Sequence, residues 1–296
     1  LRYLCILGQT PDTRLVLTVI GKDAEREIAQ FRRQCPMLPE RLCLEGLSLA
    51  YGTEDYDLYF EEHITDIDCF FVADADAAAI SLYDRLQDRR IVRPLWLYAA
   101  EMPAAFDGLL ESGAFDRLCC FGKTKALYTT QVLVDERLDR LAKAVHAYYC
   151  REFGMDTPWD ALSAHAKDSN RSSALHIHTK LYSLGLRAAE GGDTAMLKEK
   201  LKDPAVVLRL AQMEHLRWNA YHFVNGWRLL PLAEANGTIK DEARRLHVCL
   251  VDWEALDAIS AAFGRDFKRA DATLVEHLPE ILESAGLGAA LYDTES

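Results

Sequence analysis

Nothing in the 296-residue chain approaches the ~20 consecutive apolar positions of a membrane-spanning helix, and no charged-then-apolar leader opens it. The chain therefore reads as soluble and cytoplasmic. Its eight cysteines form no C-x-x-C pair and show no zinc-site spacing, so they read as reduced, mostly buried thiols, with no metal expected. G-x-S-x-G, H-E-x-x-H and Asp-rich metal loops are absent as well, which leaves no compact motif for hydrolysis and no reason to expect an enzyme. Internal repeats and low-complexity tracts are also missing. Basic residues are outnumbered 34 to 46, for a formal net charge of −12, and such a field repels nucleic acid. A small anion is still compatible, because a local pocket can be basic on an acidic protein.

What is present begins with apolar runs alternating with amphipathic stretches over residues 1–122, the mark of a βα architecture with a parallel sheet. Strands are expected at 15–21, 41–49, 67–74, 93–100 and 117–122, with helices at about 23–34, 76–87 and 105–114. This order resembles the latter two-thirds of a TrkA-N-like Rossmann domain. The G-x-G-x-x-G loop that holds a pyrophosphate on a helix N-terminus is missing, so NAD is not expected as a cofactor. Asp23, and likewise Asp74 and Asp76, read as helix caps rather than as ribose or metal ligands. Gly122-Lys123-Thr124 resembles the end of a phosphate loop but lacks the first glycine of G-x-x-x-x-G-K, since residues 115–121 contain none. The chain opens on Leu1, directly into apolar sequence, which suggests an upstream segment that could include membrane helices, the chain then being the soluble part of a membrane-attached protein.

Residues 123–157 read as an ordered connector. Leu138, Leu141, Ala142, Val145 and Tyr149 recur at helical spacing, predicting a rigid helix over about 135–153. Pro158 opens the second domain and suits a first helical turn. A second helix is expected to enter through Ser169 or Asn170, with Arg171 in its first turn. On that helix His176 and His178 point about 200° apart and cannot share an ion.

The densest chemistry lies in Met213–Arg228, MEHLRWNAYHFVNGWR, with two tryptophans, two arginines and two histidines in about four helical turns. Glu214, Arg217, Trp218 and Tyr221 share one helical face, where arginine and tryptophan can pair with and stack on a planar anion. The simpler alternative is an amphipathic helix that buries Leu216, Trp218 and Phe223. Glu214 and His215 diverge by about 100°, which disfavours an acid–base couple.

Together with Ser169–Leu181 (SNRSSALHIHTKL) and Arg245–Leu256 (RLHVCLVDWEAL), that segment resembles the ryanodine-receptor repeat domain in its bacterial form. The resemblance rests on Glu214-His215, Trp218, Gly226-Trp227-Arg228, His247 and Leu250-Val251-x-Trp253, and it implies a mostly helical module over 158–296. The overall class is then α/β, a Rossmann-like parallel-sheet domain followed by a helical repeat domain. No settled activity comes with such modules, so the resemblance implies a sensor that binds a nucleotide or ADP-ribose-like signal and gates a channel or a stress or phage-defence effector. Trp218, Tyr221, Trp227 and Trp253 are the expected stacking residues. Arg217, Arg228 and Lys240 would supply charge, and removing either arginine should weaken binding without harming the fold. Asn236-Gly237 is a turn signal, placing the loop over the helix so that Trp227 and Trp253 border one cavity with His247 inside. A homodimer through residues 1–122 is expected. A scaffold without a ligand, or an enzyme acting on nucleotides, are the alternatives.

Overall fold

The computed structural model describes residues 1–73, 76–98, 118–123, 129 and 139–292, and shows a mixed α/β protein with small parallel sheets. Its elements are α1 (Arg2–Leu7), β1 (Leu15–Ile20), α2 (Ala24–Gln34), β2 (Leu42–Leu47), α3 (Glu54–His63), β3 (Phe70–Val72), α4 (Asp76–Asp88), β4 (Leu95–Tyr98) and β5 (Leu118–Phe121). They continue with α5 (Arg140–Phe153), α6 (Ala164–Tyr182), β6 (Leu186–Glu190), α7 (Ala195–Lys200), α8 (Pro204–Val224), β7 (Arg228–Leu229), β8 (Lys240–Asp241) and β9 (Leu246–His247). Helices α9 (Leu256–Phe263), α10 (Phe267–Glu276) and α11 (Leu278–Ser284) lead to β10 (Leu287–Leu291).

Two compact units result, and they do not follow the sequence division at residues 122 and 158. One comprises Ile20–Glu25 and Gly46–Arg137, the other Leu1–Val19, Arg26–Glu45 and Leu138–Ser296. In the first, β3, β4 and β5 pair in parallel with Phe70 opposite Leu95 and Leu95 opposite Leu118. Alternation along β4 buries Leu95 and Leu97 while Tyr98 stays exposed, as the two-residue period of a strand dictates. Leu82 and Leu86 on α4 and Tyr56 and Phe60 on α3 lie four apart on one helical face and close the same core. Thr53 caps α3, its hydroxyl accepting from Tyr56 N, and Glu54, Asp55 and Asp57 favour the positive end of that helix. The expected helix at 105–114, Asp74, the Asp76 side chain and Thr124 lie outside the described residues.

In the second unit, α5, α6, α8, α10 and α11 surround a core that includes Val145, Ile177, Leu210, Val275 and Leu282. Ser163 caps α6 by accepting from Ala166 N at 3.2 Å, six residues before the predicted Ser169, so Arg171 falls in mid-helix rather than in a first turn. The aromatic segment is likewise only the end of a longer helix. Asp203 accepts from Ala205 N, and Pro204 occupies the first position of α8, where its missing N–H costs nothing.

The opening run LRYLCIL, read as part of the βα pattern, is helical. Six residues cannot hold a helix alone. Helix α1 is held because Cys5 and Ile6 pack against Ala220, Tyr221 and Val224, while Thr179 Oγ1 and His176 Nε2 donate to the carbonyls of Leu7 and Gln9 at 3.2 and 3.1 Å. Cys35 Sγ donates to Val224 O at 3.2 Å. Residues 1–122, the expected dimer platform, are thus divided between the two units. All eight cysteines are free thiols, but only Cys5, Cys35 and Cys249 are buried, fewer than their sequence pattern suggests.

Strands β6 and β10 pair antiparallel, with Gly288 opposite Ala189. A Cβ on Gly288 would lie 2.1 Å from the backbone carbon of Gly192, and backbone cannot step aside as a side chain can. Gly288→Ala is therefore expected to cost about 1–3 kcal/mol of stability, the range for overpacking, read as a lower denaturation midpoint in urea.

Candidate functional site

Helix α8 places Arg217, Trp218 and His222 along its last two turns, and a reversal at Gly226 then returns the chain. Gly226 takes φ +79°, a conformation glycine adopts without a Cβ penalty, and a Cβ here would press on Gln34 O at 3.2 Å. Beyond it, β7, β9 and β8 form a small sheet in which His247 stands directly opposite Lys240. The Asn236-Gly237 turn, both residues at positive φ, precedes β8.

A cleft of about 1140 Å³ opens beside these elements. Its lining includes Trp218, His222, Trp227, Lys240, Arg245 and His247, together with His146 and Tyr149 of α5 and Ser163 and His165 at the start of α6. Arg2, Arg217, Lys240 and Arg245 put four cationic side chains on its lining against one carboxylate, Glu242, on a chain whose formal net charge is −12. Glu242 is exposed and pairs with Lys240 at 2.6 Å. The volume suits a small molecule.

The aromatic floor is continuous. Trp218 lies 4.0 Å from His222 and 4.9 Å from His247, ring centre to ring centre, and His222 lies 5.2 Å from Trp227. Burial, with smaller contributions from His247, Arg217 and His165, outweighs the hydrogen bond to Trp218 O and pushes His222 down to about 3. Burial, followed by Lys240 and His215, lowers His247 to about 4. Both imidazoles are neutral at physiological pH.

The eight sequence candidates separate. Trp218, Trp227, Lys240 and His247 line the cleft. Tyr221 does not; its hydroxyl donates to the carbonyl of His165, which does, at 2.9 Å. Arg228 is exposed on β7 and outside the lining. Trp253 is outside it too, since it packs in a T-shape on His215 at 5.8 Å beneath Lys268, so Trp227 and Trp253 do not border one cavity. His146, His165, Arg2 and Arg245 had no local signal, because they arrive from α5, α6, α1 and the β8–β9 turn.

Arg217 reaches the lining but is not a free ligand arm. Its Nη2 donates to Glu214 at 2.6 Å and its Nη1 to Ser172 Oγ at 2.9 Å. Lys180 Nζ donates to the other oxygen of Glu214 at 2.7 Å and to His176 Nδ1 at 3.0 Å. Lys180, Glu214, Arg217 and His176 are each at most 1% exposed. Burial resists the Glu214 charge, yet Arg217 and Lys180 more than compensate and hold that carboxyl at about 2. His215 sits between Asp271 at 3.3 Å and Val251 O at 2.8 Å, not in an acid–base couple with Glu214. Among the described residues no group of three or more His, Cys, Asp or Glu could hold a metal ion, and no helix is long and apolar enough to cross a membrane. No family model matches the chain, and neither a curated protein nor a solved structure does.

Two stability measurements test these electrostatics. Glu214→Gln leaves Lys180 and Arg217 buried without their counter-charge and should cost about 3–5 kcal/mol by equilibrium denaturation at pH 7; Arg217→Ala, which takes from buried Glu214 one of its two cationic partners, is expected to destabilise the fold as well. The histidines set the acid slope. Their folded pKa values lie below the ordinary ~6.5, so the unfolded chain takes up protons first and stability falls as pH drops below that value. From pH 7 to pH 5 each should remove at most about 2 kcal/mol, and the double variant His222→Gln/His247→Gln should lose their share of the slope and keep that of His176 and His178, which burial also lowers.

Proposed function

We propose that the chain is a ligand-binding regulatory module whose cleft takes a small, planar, anionic molecule of nucleotide or ADP-ribose type. The observation that carries this reading is that Arg2, Lys240 and Arg245 line the same cleft as Trp218 and Trp227 on an otherwise acidic protein, Arg217 being taken by Glu214. A base can stack on the tryptophan while its phosphate meets Arg2, Lys240 and Arg245 and the positive end of α6. The resemblance of Met213–Arg228 and Arg245–Leu256 to the ryanodine-receptor repeat supports sensing rather than turnover. On this reading the bound signal is passed to a channel or to a stress or defence effector.

Thermal shift and calorimetry with AMP, GMP, CMP, UMP, ADP-ribose and inorganic phosphate test it. At a hundredfold excess over Kd a ligand should raise stability by about 2.7 kcal/mol, with its mass unchanged afterwards. Lys240→Ala and Arg245→Ala should each weaken nucleotide binding by roughly tenfold, in line with a charge-assisted hydrogen bond, while Arg228→Ala leaves it unaltered. A flat response to every compound supports a protein-binding scaffold instead, and a changed ligand mass supports an enzyme.

A further inference from the structure

We propose that His222 and His247 act as a complementary acceptor–donor pair that reads the pairing edge of a nucleobase lying against Trp218. This names the ligand class of the cleft and rests on its assignment to a nucleotide. The roles of the two rings come from their backbone bonds. His222 Nδ1 lies 2.9 Å from Trp218 O, and a carbonyl only accepts, so Nδ1 carries the hydrogen and Nε2 is left as an acceptor. His247 Nδ1 lies 3.1 Å from Cys249 N, and a backbone N–H only donates, so in this ring Nδ1 accepts and Nε2 carries the hydrogen. The two Nε2 atoms have no hydrogen-bond partner among the described residues, and both rings line the cleft with centres 6.2 Å apart.

One acceptor beside one donor is the complement of an unmodified nucleobase edge. Adenine offers N6–H beside N1, guanine N1–H beside O6, cytosine N4–H beside N3 and uracil N3–H beside O4. Bases taken out of a stack are commonly read through this edge, with an aromatic ring against their face. A pair of protonated histidines gripping phosphate would be the opposite arrangement. Burial opposes it first; Arg217, His165 and His247 around His222, and Lys240 and His215 around His247, act in the same direction against the hydrogen bond to Trp218 O, and the one carboxylate of the lining, Glu242, is exposed and taken by Lys240. The cationic rim, not the histidines, is then left for the phosphate.

Calorimetry on the full chain at pH 7.5 with AMP, GMP, CMP and UMP identifies the tightest of the four. That nucleotide is then compared with its counterpart methylated on the edge donor, N6,N6-dimethyl-AMP in the case of AMP. Methylation should cost at least about tenfold, the loss expected when a desolvated partner is left unpaired. His222→Leu should abolish that discrimination, and His222→Gln, whose amide oxygen can again accept, should restore it. Affinity should hold within about twofold from pH 8 to pH 6. Equal binding of the parent and methylated nucleotides overturns the edge reading and leaves the nucleotide cleft standing. Tightening of tenfold or more on acidification to pH 6 overturns it as well, in favour of an imidazolium grip on phosphate. Failure of all four nucleotides to bind removes the cleft reading and this one with it.

Discussion

The arrangement around the cleft depends on one buried carboxylate. Glu214 receives Lys180 from α6 on one oxygen and Arg217 from α8 on the other, and the same lysine reaches His176, whose far nitrogen donates to Gln9 O just beyond α1. Three helices are tied by a chain of hydrogen bonds that none of them makes alone. Buried charge of this kind is seldom a net gain in stability over an apolar replacement. Its effect here is positional, because Arg217 held on Glu214 and Ser172 fixes the turn of α8 that presents Trp218 and His222.

Local patterning made much of the chain legible. Strands β1 to β5 fall inside the predicted runs, since a short apolar segment bounded by turn residues reads as a strand wherever its partner lies. The Met213–Arg228 segment was recognisably the chemically dense one. The start of its helix was not, because Val206 and Val207 are β-branched and the signal for entry is the single pair Asp203-Pro204. Helix α1 was invisible for a different reason, its six residues being helical only against Ala220, Tyr221 and Val224, more than two hundred positions away. The discontinuous unit arises from the same contacts.

The site was half legible, and its failures share a cause. Sequence spacing shows which residues share a helical face but not which face is covered. Arg217 and Trp218 are adjacent, yet Arg217 turns into the ionic cluster and Trp218 into the cleft. Trp253 carries the same stacking chemistry as Trp227 but is used against His215. Charge counts mislead similarly, since Arg228 is as basic as Arg245 and only the latter lines the cleft, its Nη1 donating to Asn225 O at 3.0 Å.

The contrast between global and local charge narrows what the cleft can hold. At physiological ionic strength fields decay over ~8 Å, so a molecule confined within the cleft meets the nearby cations, while anything extending beyond it meets the surface of a protein with formal charge −12. A long polyanion would then have more phosphates in the repulsive zone than in the attractive one, which agrees with the short anion of the proposed function. Neutral histidines sharpen this selection. They add no charge that would favour phosphate indiscriminately, and on the proposed reading their Nε2 atoms supply two directional hydrogen bonds to a planar edge.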